Sequence, residues 1–220
     1  MPIFELSKEE TKYPPAQYAD SQGLLCEGGG LSPEQLINAY KSGLYFWFDP
    51  MRYIKWWSPD PRIVMYPEDL SIPDYIKQDL DKTGYTAVYN YDLEAVMRHC
   101  QSIENIGEMN PAWITERTIR VFTALNELGH VQTVGVFKDD KLVGGLFGIT
   151  IGKVFFGEYI CSTEKYGKEF ALISLAKELS LRGFKIIDLH KDTNDTLDIG
   201  LSEISRNEYL SHLKQWTELE

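Results

Sequence analysis

Residues 131–160, VQTVGVFKDDKLVGGLFGITIGKVFFGEYI, and residues 161–190, CSTEKYGKEFALISLAKELSLRGFKIIDLH, decide the fold of this chain. Apolar residues alternate or run together through the first of these segments, which indicates strands, and they recur at helical spacing after Lys165. The acidic pair at 139–140 fits a tight turn between two strands. We therefore predict strands at 131–137, 142–150 and 153–160, a helix at 165–181 and a last strand at 184–190. This order is typical of an α+β or α/β domain.

A single carboxylate follows the most apolar of these strands. Glu158 comes directly after Val-Phe-Phe-Gly at 154–157, and the pattern predicts that it lies where the chain leaves the sheet. An isolated carboxylate is costly to bury. We therefore expect Glu158 either to be buried with a partner or to face the amino group of a ligand.

Asp188 and His190 close the last predicted strand. Because side chains alternate along a strand, we expect both residues on one face. A carboxylate beside an imidazole can fix its tautomer and raise its basicity, which is what a proton-transfer pair needs. Polar residues are also common where a strand runs into solvent. The spacing alone leaves both interpretations open.

The composition bounds the class of protein. With 220 residues, of which 43% are hydrophobic, the chain can form one domain or two small ones around a sizeable core. Its net charge of −11 argues against general nucleic-acid binding, because affinity for phosphate comes mainly from Lys and Arg. No apolar run approaches the roughly 20 residues that span a bilayer. The N-terminus lacks a signal-peptide pattern, so we expect a cytoplasmic protein.

The three cysteines are Cys26, Cys100 and Cys161. They are odd in number, and no CxxC or paired histidine accompanies them. This pattern predicts reduced thiols in the core rather than a disulfide framework or a zinc site.

The N-terminal part contains a capped helix and a dense aromatic cluster. Ser32, Pro33 and Gln35 form a capping box that starts a helix running to about residue 41, with Tyr40 on its apolar side. Three of the five tryptophans then fall within residues 47–57. The cluster can hold a small N-terminal lobe to the rest of the chain. It can also offer a stacking surface for a flat ligand such as a nucleobase.

A rigid turn at Asp60-Pro61-Arg62 precedes an apolar strand, which favours a domain boundary at this point. We predict a small aromatic-rich N-terminal domain at 1–62 and a larger domain at 63–220.

Several motifs resemble one family, the bacterial leucyl/phenylalanyl-tRNA-protein transferases. They keep their order and spacing across nearly the whole chain, and WWSPDPR is the most specific of them. They are Gly28-Gly29 with LSP at 31–33, WWSPDPR at 56–62, WIT at 113–115, ELGH at 127–130, LVGG at 142–145, FGE at 156–158, Ile187-Asp188, Gly200, and Glu203-Ile204.

The resemblance implies a fold, an activity and partners. The fold is a GNAT-like acyltransferase domain, with a mixed, mostly antiparallel sheet flanked by helices, plus a small N-terminal domain. The activity moves leucine or phenylalanine from leucyl- or phenylalanyl-tRNA to a protein N-terminus that begins with Arg or Lys. That transfer marks the protein for degradation. The resemblance implies no metal and no nucleotide cofactor.

The resemblance also implies site residues. Asp188 matches the aspartate of a proposed catalytic Asp-x-Gln pair, and His190 stands where the family has the glutamine. Trp47 and Trp113 would stack at the terminal aminoacyl-adenosine of the tRNA. The pocket for the amino-acid side chain and the groups around it would be formed by Leu146, Gly157, Glu158, Leu172, Leu175 and Ile187. Tyr40, in the matching Ala39-Tyr40 segment, is a further candidate for substrate binding.

The chain departs from the family pattern beyond His190. A basic run that holds tRNA in the family is replaced by the acidic segment 71–82, and a His and a Ser of the family are Asp195 and Asp198. We therefore keep two alternatives beside the transferase hypothesis. One is a GNAT-like acyltransferase that uses another aminoacyl or acyl donor. The other is a non-catalytic protein that binds peptide N-termini. The acidic residues could attract the positive charge of such an N-terminus.

Overall fold

A computed structural model describes residues 3–48, 53–104, 113–190 and 199–219, with only the backbone of residue 104. Within those ranges every helix is too short or too polar to reach across a lipid bilayer. Asp195 and Asp198 lie outside the described residues.

Strands and short helices alternate along the chain. The strands are β1 (Phe4–Leu6), β2 (Leu24–Gly28), β3 (Tyr45–Phe48), β4 (Ile54–Trp57), β5 (Arg62–Met65), β6 (Thr86–Tyr89), β7 (Val131–Lys138), β8 (Lys141–Ile151), β9 (Val154–Ser162), β10 (Ile186–Asp188) and β11 (Leu201–Ile204). The helices are α1 (Pro33–Lys41), α2 (Asp74–Leu80), α3 (Leu93–Glu104), α4 (Glu116–Glu127), α5 (Gly167–Leu181) and α6 (Arg206–Trp216), with 3₁₀ turns at Ala16–Tyr18 and Pro67–Asp69.

In the part of the chain that the structure describes, the strands form two sheets. The N-terminal sheet has the order β1-β2-β4-β3, and the larger sheet has the order β11-β5-β10-β9-β8-β7-β6. In the larger sheet β9 and β10 run parallel, whereas the other neighbours run antiparallel. The predicted mixed, mostly antiparallel sheet with a separate N-terminal unit is confirmed.

Local signals in the sequence set several element boundaries. The Ser32 hydroxyl accepts a hydrogen bond from the Gln35 backbone N–H at 3.2 Å, and the Gln35 side chain accepts one from the Ser32 N–H at 2.9 Å. This reciprocal pair satisfies amides that the first helical turn leaves open, which confirms the predicted start of α1. Between β7 and β8, Asp139 and Asp140 both adopt positive φ, as a tight hairpin turn requires.

A shared hydrophobic core joins the two sheets. One buried cluster contains Phe46 and Trp56 from the N-terminal sheet together with Phe147 and Phe156 from the larger sheet. The chain passes from one sheet to the other at residues 58–61, between β4 and β5, directly before residue 62. The division into domains at 1–62 and 63–220 stays a prediction, because the packing is continuous across it.

The prediction of reduced thiols is wrong for two of the three cysteines. Cys100 on α3 and Cys161 on β9 form a disulfide, with their Cα atoms 5.5 Å apart. Cys26 is free and buried. The pairing was hidden because the two cysteines are 61 positions apart and meet only when α3 packs on the sheet.

Candidate functional site

The site lies where the parallel strands β9 and β10 separate. The pairing of β9 with β10 ends at Phe156 and Asp188. Beyond this point β9 pairs only with β8. On the other side of β9, Phe147 pairs with Tyr159 and Gly148 pairs with Gly157, so that Glu158 is the extra residue of a β-bulge. The prediction that Glu158 ends its strand is therefore wrong. The bulge, and not the strand end, sets it apart from the regular ladder.

Gly157 permits a close approach beside the bulge. A Cβ atom at this position would lie 3.3 Å from the Asp188 carbonyl oxygen and 3.3 Å from Leu189 Cδ2. These contacts are tighter than side chains ordinarily tolerate. Glycine at 157 thus keeps the two strand ends close together, which is the use expected of a glycine inside a strand.

Asp188 is fully buried and fully hydrogen-bonded. Arg62 donates to both carboxylate oxygens, at 2.8 Å from Nε and 2.6 Å from Nη2. The Tyr209 hydroxyl donates to Oδ2 at 2.5 Å, and the His190 backbone N–H donates to Oδ1 at 2.8 Å. Burial alone would raise the pKa of Asp188, but the Arg62 charge holds it well below its ordinary value. Asp188 is therefore an anion at neutral pH, with both oxygens occupied.

His190 reaches Asp188 through a local turn and not through strand alternation. β10 stops at Asp188, two residues before the predicted end, because His190 adopts a φ of +67° in the left-handed region. Such a backbone is uncommon for histidine, and it persists only where neighbouring contacts enforce it. Here His190 Nδ1 lies 3.4 Å from Asp188 Oδ2 and 3.2 Å from Arg62 Nη2. The structure thus brings the predicted pair together by another route.

Tyr45 covers the imidazole. Its ring stacks on the His190 ring with centroids 4.2 Å apart and planes inclined by 15°. Burial raises the pKa of Tyr45 to about 12, with the Arg62 charge acting against this increase. The phenol therefore stays neutral and fixes the plane of the imidazole without adding charge.

On the Nε2 side of the His190 ring, three buried polar atoms have no hydrogen-bond partner among the described residues. They are His190 Nε2 itself, Tyr40 Oη and Glu158 Oε1. Nε2 and Oε1 are 3.8 Å apart, too far for a direct hydrogen bond. Each unsatisfied buried polar atom costs about 1–3 kcal/mol. A ligand amino group that reached both atoms from one side could donate one hydrogen bond to Glu158 Oε1 and, when Nε2 carries a lone pair, another to His190 Nε2.

The charges around His190 decide its protonation. Burial alone would lower the pKa of its imidazole, but the Asp188 and Glu158 carboxylates outweigh burial and raise it. The protonated ring directs Nδ1–H towards Asp188 and Nε2–H towards Glu158. The neutral ring has two tautomers. With the proton on Nε2, Nδ1 accepts a hydrogen bond from Arg62 Nη2 at 3.2 Å; with the proton on Nδ1, beside Asp188 Oδ2 at 3.4 Å, a lone pair is left on Nε2. Burial, together with the Glu158 charge, also raises the pKa of Tyr40, which stays protonated.

The two predicted stacking tryptophans lie on top of each other. Trp47 is 43% exposed, whereas Trp113 is 1% exposed. Their rings stack with centroids 5.5 Å apart and planes inclined by 22°. A flat ligand can therefore approach Trp47 from outside, while Trp113 supports Trp47 from beneath. In the same cluster Trp56 is buried, so the aromatic segment is partly core and partly surface.

Four of the six predicted pocket residues belong to a closed apolar cluster. Leu146 on β8, Leu172 and Leu175 on α5, and Ile187 on β10 are buried together with Phe155 on β9. Their packing buries the face of the larger sheet that α5 covers. Their role as a pocket for an amino-acid side chain stays a prediction.

A separate cleft of about 300 Å³ opens between α2 and α5. Its lining includes Ile72, Lys77, Tyr85 and Ile173, and none of its residues belongs to the candidate site. Among the described residues, none that lines this cleft has a buried polar atom without a partner, so we assign it no chemistry.

Sequence analysis did not identify three residues that build the site. Arg62, Tyr45 and Tyr209 fix Asp188 and His190 by ion pairing, stacking and hydrogen bonding. Arg62 carried a usable signal, because it is a charged residue at the start of the otherwise apolar strand Arg-Ile-Val-Met. For Tyr209 the signal was weak, since its position on α6 looks like an ordinary core position.

Solved structures give distant likenesses. The chain is similar to a GCN5-related N-acetyltransferase from Kribbella flavida, with a TM-score of 0.44 and 14% identity over 77% of this chain and 60% of that chain. It is also similar to a conserved protein of unknown function from Bacteroides thetaiotaomicron, with a TM-score of 0.48 and 11% identity over 80% of this chain and 58% of that chain.

Sequence relatives are much closer. A protein of Hydrogenovibrio crunogenus named leucyl/phenylalanyl-tRNA–protein transferase is 38% identical over 97% of this chain and 84% of its own length. A protein of Flavobacterium johnsoniae with the same name is 37% identical over 92% of this chain and 95% of its own length. The family model described as leucyl/phenylalanyl-tRNA protein transferase matches residues 64–214, and the model of its N-terminal domain matches residues 29–60. The chain belongs to the leucyl/phenylalanyl-tRNA protein transferase family.

Proposed function

We propose that this chain transfers leucine or phenylalanine from aminoacyl-tRNA to the N-terminal amine of proteins, with His190 as the catalytic residue. Family membership supports the aminoacyl-tRNA donor and the protein acceptor. The observation that carries the site assignment is the group of partnerless buried atoms on Tyr40, Glu158 and His190. We place the reaction in the cytoplasm, where charged tRNA is available, and we propose acceptors that begin with Arg or Lys.

The reaction exchanges an ester for an amide. The acceptor amine nitrogen attacks the carbonyl carbon of the aminoacyl ester, and a C–N bond forms as the bond to the ribose oxygen breaks. The attacking nitrogen loses a proton, and the departing ribose oxygen gains one. The enzyme must therefore hold the amine near the ester and provide a group that accepts and returns a proton.

His190 can carry this proton. Its Nε2 is buried and faces Glu158, while its Nδ1 lies 3.4 Å from Asp188 Oδ2. A proton on Nδ1 is stabilised by the Asp188 anion, which leaves the Nε2 lone pair to take the proton of the amine and pass it to the ribose oxygen. Asp188 is a positioning residue in this scheme, because Arg62 and Tyr209 already occupy its oxygens.

Glu158 and Tyr40 complete the amine site. The Glu158 carboxylate can accept hydrogen bonds from an amino group, and a bond between charged groups is worth about 1.5–3 kcal/mol when buried. The Tyr40 hydroxyl, on α1, faces the same carboxylate. We propose that this pair orients the reacting amino groups.

The remaining candidates would hold the donor. We propose that the terminal adenosine stacks on the exposed face of Trp47, which Trp113 supports. The leucine or phenylalanine side chain would enter beside Gly157 and contact the apolar cluster of Leu146, Leu172, Leu175 and Ile187. Such an entry requires these side chains to move apart, since the cluster is closed in the present structure.

A transfer assay tests the proposal. The protein is incubated with leucyl-, phenylalanyl- and other aminoacyl-tRNAs and with peptides that begin with Arg, Lys or Glu, and the products are identified by mass spectrometry. We expect leucine or phenylalanine to be added to the Arg and Lys peptides. Uncharged tRNA serves as the control. Transfer of another amino acid would favour the alternative donor, and peptide binding without turnover would favour the non-catalytic alternative.

A further inference from the structure

A disulfide joins helix α3 to strand β9 close to the candidate site. Cys100 lies in the C-terminal half of α3, and Cys161 is the last residue but one of β9. Cys161 follows the bulged Glu158 by three positions and pairs with Gly145 on β8. Both cysteines are buried. The bond therefore anchors the part of β9 that leads away from the bulge.

The same half of α3 also holds the segment at residues 113–116. The Gln101 side-chain amide donates a hydrogen bond to the Ile114 carbonyl oxygen at 2.9 Å. Arg98 Nη2 donates to Glu116 Oε2 at 3.0 Å, at the start of α4. Since the cysteine of α3 lies between these two residues, one stretch of helix is tied to β9 by a covalent bond and to the segment 113–116 by hydrogen bonds.

The ring of Trp113 bridges the elements that the disulfide joins. Trp113 belongs to the segment held by α3, and its ring stacks on Tyr159 of β9 with centroids 6.1 Å apart and planes inclined by 18°. Tyr159 directly follows Glu158. Trp113 also supports the exposed ring of Trp47. A change in the distance between α3 and β9 therefore changes the Trp113–Tyr159 stack and the support of Trp47.

The disulfide is unusual for the compartment in which we place the reaction. In the cytoplasm thiols are kept reduced, and a disulfide there is usually transient, as in redox sensing. The Cα atoms of the two cysteines are 5.5 Å apart, a distance at which a disulfide forms without movement of the backbone. Cys26, by contrast, is free. The pair therefore combines a geometry that favours the bond with a compartment that favours its reduction.

We propose that Cys100 and Cys161 form a thiol–disulfide switch that controls the binding of the aminoacyl-tRNA donor. Two sulfurs that are not bonded must separate from the bond length of about 2.05 Å to van der Waals distance, so reduction moves α3 and β9 apart. The disulfide form keeps the Trp113–Tyr159 stack ordered before the donor binds, and the dithiol form must order it on binding. This inference rests on the proposed function, since it takes the donor to stack on Trp47.

The switch operates by exchange with glutathione disulfide as the oxidant. One cysteine thiolate attacks a sulfur of glutathione disulfide, and a glutathione thiolate leaves. The second cysteine thiolate attacks the mixed disulfide, the Cys100–Cys161 bond forms, and a second glutathione thiolate leaves. The cysteines lose two electrons to glutathione, whose two thiolates take up the two protons that the cysteines release. Because both cysteines are buried, exchange requires local opening of α3 and is slow.

Transfer measured on the two redox forms of the unmodified protein tests the switch. The protein is equilibrated with glutathione disulfide or with dithiothreitol, and its free thiols are counted by alkylation and mass spectrometry. We expect the KM for leucyl-tRNA to be about three- to tenfold higher in the dithiol form, because one or two large side chains must be ordered. The melting temperature should be roughly 10 °C lower after reduction, since the bond spans 61 positions.

Cysteine variants provide the controls. C100A/C161A removes the switch and should show the KM of the dithiol form under both conditions, and the single variants C100A and C161A replace it if the double variant does not fold. C26A removes a buried cysteine outside the pair and should keep the full redox response. Equal KM in the two forms, a redox response of KM in C100A/C161A, or absence of the disulfide at every glutathione ratio would each overturn the proposal.

Hydrogen exchange reads the coupling without turnover. After reduction we expect faster amide exchange at residues 113–116 and 159–161, whereas the amides of α2, beside α5, should exchange equally in both forms. Absence of transfer by the unmodified protein in both redox forms would refute the proposed function. The exchange rates would still decide whether the bond controls the stack: faster exchange at both segments supports the coupling, and equal exchange overturns it.

Discussion

The two nitrogens of the His190 ring lie in opposite surroundings. Nδ1 adjoins a buried charge network in which Arg62, Tyr209 and a backbone N–H satisfy every oxygen of Asp188. Nε2 faces Tyr40 and Glu158, and none of these three groups finds a partner for its buried atom in the described residues. One side of the ring is fully hydrogen-bonded, and the other side leaves buried polar atoms without partners.

The difference between the two sides is energetic as well as geometric. On the Nδ1 side a bidentate ion pair and further hydrogen bonds offset the desolvation of two buried charges. On the Nε2 side the unsatisfied atoms reduce stability, and a protein retains such a cost where function requires it. The comparison predicts that substitutions on the Nδ1 side damage both folding and activity, whereas those on the Nε2 side damage activity alone.

The largest effect is expected for Asp188→Asn. An amide cannot neutralise Arg62, which would remain as an unpaired buried charge, so we expect a loss of about 3–5 kcal/mol in the free energy of unfolding. Because the imidazole also loses its anionic partner, we expect kcat/KM for transfer to fall by about 10²-fold or more. Chemical denaturation and the peptide transfer assay measure the two quantities.

A variant without either charge separates positioning from folding. Arg62→Met, Asp188→Leu and Tyr209→Phe together replace the network by apolar groups, which commonly restores stability. We expect near-normal unfolding with transfer still reduced about 10²-fold and a changed pH profile, since His190 lacks its partner. Recovery of full activity along with stability would show that Asp188 serves the fold alone.

His190→Ala should have the next largest effect. It removes both the proton acceptor and the group that orients the amine, so we expect kcat/KM to fall by about 10²-fold. His190→Gln places the family residue at this position, and we expect it to retain activity within about tenfold of the unmodified chain, because a neutral amide can still orient the amine. At a pH above the raised pKa of His190, where the ring is neutral in the folded protein, stability should change little in either variant. His212→Gln, which alters a histidine that stacks on Trp216 outside the site, is the control. Equal activity of the Ala variant and the unmodified chain would remove His190 from the mechanism.

Glu158→Gln should have a smaller effect, limited to the Nε2 side of the ring. Loss of the Glu158 charge weakens the binding of an amino group, so we expect KM for the peptide or the donor to rise about tenfold. The free energy of unfolding should stay equal or increase, because a buried carboxylate without a hydrogen bond on Oε1 is removed. Glu164→Gln, in an exposed ion pair with Lys138, is the matched control. A marked loss of stability in Glu158→Gln would place this residue on the structural side of the comparison.

The sequence could predict those parts of the fold that local patterns determine. The capping box of α1, the hairpin turn at 139–140 and the strands around it follow from side-chain chemistry within a few residues. The pairing of Asp188 with His190 was also predicted, although the reason was wrong, because a left-handed residue and not alternation brings the side chains together.

Local sequence patterns do not predict the register between strands or the contacts between residues far apart in the chain. The bulge at Glu158 exists only because β8 and β9 slip by one residue against each other, and a single strand does not reveal that slip. The burial of Trp113 under Trp47, the Cys100–Cys161 pair and the bond from Arg62 to Asp188 likewise join residues far apart in the chain. Each is fixed by packing, which sequence spacing does not show.

The smallest expected effect is a pH dependence that reports on both nitrogens. The carboxylates on either side raise the pKa of His190 above its ordinary value of about 6.5, although burial opposes them. Since transfer needs the neutral ring, we expect kcat/KM to rise with pH through this raised pKa. The acceptor amine titrates as well, so profiles are compared between the unmodified chain and His190→Gln, which should lose the histidine step. His212→Gln should retain it.

The raised pKa of His190 changes stability with pH in the opposite direction from activity. A group whose pKa is raised by folding stabilises the folded state fully below its unfolded pKa, and this contribution disappears as pH rises through the folded pKa. We therefore expect the free energy of unfolding to fall above about pH 6.5 while activity rises, and His190→Gln to lose both trends. If Asp188→Asn and Glu158→Gln each weaken the trends, both carboxylates act on one ring, as the geometry requires. If all three variants gave the same pH profiles of activity and stability, the trends would not come from titration of the His190 imidazole between the two carboxylates.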